Sequence, residues 1–142
     1  MTRERPSPTR DQVLGLLREQ LAALHAAEPG TRSGRDPEEL HRMRTAARRM
    51  RAILGAVRDM FDPRWVAHLR KELDWLTALL AAPRDLDVLQ QYLSTEVRPL
   101  RAGRRAAGRR LLERLDAQRG RARARLLAGL DSPRYRRLQS RL

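Results

Sequence analysis

The chain has no cysteine, which removes disulfide bridges, thiolate nucleophiles and zinc–cysteine sites from consideration. Only five aromatic residues occur, two Trp, two Tyr and one Phe, too few for the stacking platforms on which single-stranded nucleic acids lie. No apolar run approaches the ~18 residues of a membrane span. The opening Met-Thr-Arg-Glu-Arg-Pro-Ser-Pro lacks the apolar core of a secretory signal, so a soluble cytoplasmic protein is expected. Catalytic patterns are missing as well: there is no Gly-rich phosphate loop, no His-Glu-x-x-His pair and no serine with a catalytic partner. No carboxylate pair on a helix face resembles a divalent-metal site. A non-enzymatic chain with no metal and no cofactor is expected.

Lysine is almost absent too. Of 31 basic residues all but Lys71 are arginine, and 17 acids oppose them, for a net charge of +14 over 142 residues. GC-rich codon usage accounts for the choice of Arg over Lys but not for the excess of charge. A balance this basic attracts polyanions: nucleic acid, an anionic membrane surface or polyphosphate.

What is present is aliphatic. Apolar residues make up 41% of the chain, mostly Leu and Ala with few Val and Ile, a pool that favours helices over strands. The length fits one domain that buries roughly two-thirds of its unfolded surface. Residues 1–8 are polar and interrupted by Pro6 and Pro8, and are expected to form a disordered tail; residues 9–142 form the domain. Apolar periodicity predicts a first helix from Thr9 or Arg10 to about Ala27, with Val13, Leu16, Leu17, Leu21 and Leu24 on its stripe. A loop is predicted over Glu28 to Arg35, where Pro29, Gly30, Ser33 and Gly34 cluster. Asp36-Pro37-Glu38-Glu39 is a start signal, with Asp36 capping and Glu39 completing a capping box, for a helix reaching about Phe61. Asp62-Pro63 opens a third helix that Pro83 should end; Arg84 begins a fourth, with Asp85 and Asp87 in its dipole-favoured first turn. Pro99 is a break. The stretch from Leu100 to about Leu130 is predicted as the longest helix, where Gly103, Gly108 and Gly120 permit a kink. Asp131-Ser132-Pro133 restarts a short last one. The sum is an all-α antiparallel bundle of five to six helices.

One stretch stands out: His41-Arg42-Met43-Arg44-Thr45-Ala46-Ala47-Arg48-Arg49-Met50-Arg51. At about 100° per residue, His41, Arg44, Arg48 and Arg51 share an arc of roughly 80°. Leu40, Met43, Ala47, Met50 and Leu54 occupy the neighbouring, apolar arc. The bland alternative is a solvated face paired with acids, but Glu38, Glu39 and Asp59 reach only a few of these arginines at helical spacing. Unpaired guanidinium groups on one arc repel each other unless an anion lies between them, and Arg suits bidentate phosphate contact better than Lys. His41 alone could be a phosphotransfer residue, yet the arginines crowding it suit anion capture better, since an imidazole can donate to a phosphate oxygen. His25 and His68 read as surface histidines. On these grounds the ligand is a phosphate-bearing polymer, with polyphosphate and nucleic acid both open.

The same stretch resembles the signature of the CHAD family, the histidine α-helical domains, with Thr45 and Met50 as mild departures. Glu72-Leu73-Asp74-Trp75-Leu76 followed by Pro83-Arg84-Asp85-Leu86-Asp87-Val88 is similar to a second family motif. Ser132-Pro133-Arg134-Tyr135 resembles a later one, so the likeness runs over about residues 10–142. It implies an all-helical fold that binds inorganic polyphosphate without catalysis, in the cytoplasm and in association with polyphosphate granules. It implies His41, Arg44, Arg48, Arg49 and Arg51 as phosphate contacts, and Asp85, beside Arg84, as a residue that orients the basic face. Arg42, Lys71, Arg84, Arg101, Arg105 and Arg109 are secondary candidates for anion contact. CHAD domains usually run to about twice this length in two similar halves. Only the first half is matched here, which fits a half-length member, a fragment or one protomer of a homodimer that rebuilds the two-half architecture; the homodimer is the favoured expectation. Non-specific nucleic-acid binding by the same surface is the alternative.

Overall fold

The computed structural model describes residues 6–98 and 101–142. Five α-helices follow one another: α1 Arg10–Ser33, α2 Pro37–Ala56, α3 Pro63–Val97, α4 Ala102–Leu130 and α5 Pro133–Arg141, with a 3₁₀ turn at Arg58–Met60 between α2 and α3. Among the described residues there is no strand, as the all-helical expectation requires. Pro6 to Pro8 are exposed and have no regular structure. The predicted break at Pro99 and the start at Leu100 lie outside the described residues.

Local chemistry sets the helix starts. Thr9 and Gln12 form a reciprocal capping box on α1, with bonds of 3.2 and 2.9 Å. Asp36 accepts from the Glu38 N–H at 2.9 Å, and Asp62 accepts from Arg64 N–H at 2.7 Å and Trp65 N–H at 3.3 Å. Pro37, Pro63 and Pro133 each follow a cap, where a missing N–H costs nothing. One detail of the α2 start departs from expectation. Glu39 does not reach back to close a box; its carboxylate pairs with Arg42 at 2.6 Å.

Two predicted breaks are absent. Helix α1 runs through Pro29 and Gly30 to Ser33 and ends on Gly34, which adopts φ 67°. Contacts from the far end of the chain hold that last turn. Arg32 pairs with Asp131 at 2.6 Å, Arg123 donates to the Thr31 and Arg32 carbonyls, and buried Tyr135 donates its hydroxyl to Glu28 at 2.7 Å. Likewise, α3 continues through Pro83, so the predicted third and fourth helices are one of 35 residues. Pro83 is buried, and one turn on Asp87 pairs with Arg119 of α4 at 2.7 Å. Asp85 and Asp87 are therefore mid-helix residues, not first-turn residues. Helix α4, at 29 residues, is shorter than α3 and runs unbroken through Gly103, Gly108 and Gly120. Helix α2 stops at Ala56, short of Phe61.

Consecutive helices pack side by side, α1 on α2, α2 on α3 and α3 on α4. The core joins Val13, Leu17 and Leu24 of α1 to Met43, Met50 and Leu54 of α2, Leu69, Leu73, Leu76 and Leu80 of α3, Leu126 and Leu130 of α4, and Tyr135 and Leu138 of α5. Leu16, placed by periodicity on the stripe of α1, is exposed, as is Leu111 of α4. Beyond Pro83 no described residue of α3 is buried, and α4 has none before Leu115. The two helices thus continue past the core as a paired arm, on which Val88, Leu89 and Tyr92 are exposed.

Candidate anion-binding groove

Helix α2 buries Leu40, Met43, Ala46, Ala47, Met50 and Leu54, which fixes the rotation of everything else on it. Arg48 and His41 point outward and are exposed. Arg44 and Arg51 lie on the flank toward α3 and are half-buried. Arg42 and Arg49 lie on the opposite flank. There they line a separate open depression with Gln20, Ala23 and Ala26 of α1, whose rim His41 also reaches. Arg44, Arg48 and Arg51 therefore share the edge toward α3, whereas exposed His41 lines the α1-side depression with Arg42 and Arg49. Arg42 is already paired with Glu39.

Two contacts fix how α2 and α3 run past each other. Arg51 forms an ion pair with Asp74, and a Cβ at Gly55 would stand 3.4 Å from the Arg70 guanidinium. Continuing this antiparallel register at 1.5 Å per residue sets Thr77 level with Arg48, Ala81 level with Arg44 and Arg84 level with His41. The seam between the two packed helices, taken here as a shallow groove, runs over about 20 Å from His41 to Gly55. Its α3 wall carries Arg70, Asp74, Thr77, Ala81 and Arg84, spaced at helical intervals of four and three residues.

The electrostatics of this groove are lopsided. Arg44 and Arg70 each bury their Nε with no hydrogen-bond partner among the described residues, and Arg51 Nε touches Asp74 out of line for a hydrogen bond. A guanidinium nitrogen removed from water without an acceptor is costly. One carboxylate, Asp74, lies among Arg44, Arg48, Arg51, Arg70 and Arg84 along the two walls. Charge-assisted contact with an anion would supply the missing acceptors. Arg70 was not singled out from sequence, where the adjacent Lys71 drew notice as the lone lysine. Lys71 is exposed, and its charge bears on Glu72 instead. The seven-residue spacing from Arg70 to Thr77 to Arg84 is the signal that marks the α3 wall.

Of the other candidates, only Arg84 lies on the α3 wall. Arg84 is half-buried, whereas Asp85 is exposed and makes no ion pair among the described residues; the neighbouring Asp87 pairs with Arg119. Arg101, Arg105 and Arg109 are exposed on the arm, where Arg105 and Arg109 line a shallow depression with Ser94, Val97, Arg98 and Leu112. The two later motifs meet each other. Arg134 grips Glu72 through bonds of 2.7 and 3.0 Å and lies over the Trp75 ring, 4.4 Å from its centroid. That meeting point is a brace between α3 and α5, away from the groove.

The CHAD domain family profile matches residues 15–142. The chain belongs to the CHAD domain family. CHAD domains bind polyphosphate-type ligands. Among solved structures, PptA from Streptomyces chartreusis is similar, with a TM-score of 0.78 and 29% identity over 94% of this chain and 48% of that one. The chain therefore spans about half the length of PptA. No curated protein matches it. Among the described residues no helix is long and apolar enough to cross a membrane, and no cluster of His, Asp and Glu could hold a metal ion.

Proposed function

We propose that this CHAD domain binds inorganic polyphosphate, without turning it over, in the groove between α2 and α3. The observation that carries the reading is the set of half-buried arginines, Arg44, Arg51 and Arg70, whose buried Nε atoms lack aligned acceptors. Arg48 and Arg84 extend the same edge. A thin, linear polyanion with charge on every unit can lie along such a groove and satisfy several guanidinium groups at once. His41, Arg42 and Arg49, which line the α1-side depression, take part only if a chain crosses the α2 ridge. We place the protein in the cytoplasm at polyphosphate granules.

A second copy is the proposed source of the opposite basic face. Val88 and Tyr92 stand on the α3 face that carries Arg70 and Arg84, so a copy seated on the arm would overhang the groove. Light scattering after size exclusion, with and without polyphosphate, should show the dimer.

Titration with long-chain polyphosphate over a range of salt tests the main reading. Log affinity should fall with log salt at a slope near −0.7 per phosphate neutralised, taking the single-strand figure. Duplex or single-stranded nucleic acid that displaces polyphosphate at equal phosphate concentration would overturn it in favour of nucleic-acid binding.

A further inference from the structure

The ion pair between Arg51 and Asp74 differs from the two pairs that join α3 to α4 and α5. Glu72, which orients Arg134, has a side chain only 11% exposed and receives two aligned hydrogen bonds. Asp87, opposite Arg119, is 22% exposed. Asp74 is 56% exposed, and its contact with Arg51 Nε lacks hydrogen-bond alignment. Arg51 forms no aligned hydrogen bond among the described residues, so its donors can still take an anion.

Asp74 also sits where a ligand group would. On α3 it is one turn beyond Arg70, whose guanidinium lies over Gly55 of α2 at ordinary contact distance. Thr77 and Ala81 continue that wall without charge. Asp74 thus occupies the middle of a row of cationic groups, as the one anion among them.

We infer that Asp74 is the groove's internal counter-anion: it neutralises Arg51 in the free protein and is displaced when a phosphate group of the ligand takes its place. This inference rests on the groove being the polyphosphate site. It assigns Asp74 a role opposite to that of an orienting carboxylate, and the two roles predict opposite signs. Were Asp74 an orienting group, its removal would weaken binding. As a competitor its removal strengthens binding, because the phosphate no longer has to break an ion pair or lie beside a like charge.

The test is polyphosphate titration of Asp74→Asn against a charge-matched control, Glu19→Gln, on the exposed face of α1 away from the groove. Exposed ion pairs are weak, so the expected gain for Asp74→Asn is about two- to fivefold in affinity at low salt. The gain should shrink as salt rises, and Glu19→Gln should gain less. In an Arg51→Ala background the advantage of Asp74→Asn should vanish, which isolates the coupling between the two side chains. Helical content of each variant is checked by circular dichroism before titration. Asp74→Asn binding more weakly than the parent, or no better than Glu19→Gln, overturns the inference while leaving the groove reading intact. Unchanged affinity on Arg44→Ala with Arg48→Ala overturns the groove reading itself, whatever Asp74→Asn does.

Discussion

Arg134 of α5 and Glu72 of α3 are joined by two hydrogen bonds of 2.7 and 3.0 Å across 62 residues of sequence. The guanidinium also lies over the Trp75 ring, so one side chain makes a bidentate ion pair and a cation–π contact at once. Replacing Arg134 by Ala leaves a nearly buried carboxylate without its partner and should cost about 1–3 kcal/mol of stability. Arg134→Lys keeps the charge but loses the fork and the flat stacking face, and should recover less than half of that loss. Urea unfolding of the three proteins measures both effects.

The same pair makes stability depend on pH. The hydrogen bonds from Arg134, followed by its charge, hold the Glu72 carboxyl below its ordinary value of 4.5, against desolvation that pushes it upward; His68 and Lys71 add smaller pulls in the same downward direction. A carboxyl that is more acidic in the fold than in the unfolded chain stabilises the fold above the unfolded value. That contribution disappears as pH falls through the folded value. The parent should therefore lose stability steadily between about pH 5 and pH 2, and Glu72→Gln should lose less over that interval while starting lower. Parallel unfolding curves for the two proteins across this range would contradict the assignment.

Capped helix starts were legible in the sequence, as was the end of α4 at Leu130; the ends of α1 and of the helix holding Pro83 were not. Thr9, Asp36, Asp62 and Ser132 cap from within a few residues, so local chemistry decides them. Pro29 and Pro83 are local breakers too, yet neither breaks a helix, because residues about 30 to 100 positions away outweigh them. Arg123, Asp131 and Tyr135 hold the last turn of α1, and Arg119 reaches α3 just past Pro83. The α2 wall of the groove could be read from helical spacing because burial of Met43, Ala47 and Met50 fixes its rotation. The α3 wall could not, since the register of Arg51 on Asp74 and Gly55 on Arg70 is a tertiary fact.

Gly34 is where the end of α1 depends on a residue without a Cβ. Its φ of 67° is left-handed, and a Cβ there would run into the Arg123 guanidinium. Gly34→Ala should cost about 1–2 kcal/mol from backbone strain, with a further loss as Arg123 leaves the Thr31 and Arg32 carbonyls. Gly15, in the interior of α1 with nothing near its Cβ position, is the contrasting site. Gly15→Ala should stabilise by about 0.5–1 kcal/mol. Thermal unfolding of the two variants should move in opposite directions.

Arg48 and Arg49 are neighbours in sequence and both exposed, but they serve different faces of α2. Arg48 stands on the edge of the α2–α3 groove with Arg44 and Arg51, while Arg49 lines the depression against Gln20 and Ala23 of α1. Charge alone would make their removal equivalent, since each variant takes one positive charge from a chain of +14. Contact in the groove makes them unequal. Arg48→Ala should weaken polyphosphate binding by about tenfold, the worth of one charged hydrogen-bonding group. It should also flatten the salt slope by about 0.7, one phosphate contact fewer. Arg49→Ala should weaken binding less than threefold, as expected of a charge acting through solvent at a distance. Arg44→Ala should resemble Arg48→Ala, and in addition relieve the buried, unpaired Nε of the free protein. Its unfolding midpoint should therefore stay at or above that of the parent even as affinity falls. Equal losses for Arg48→Ala and Arg49→Ala, with equal changes in slope, would mean that binding reads the net charge of α2 rather than the groove.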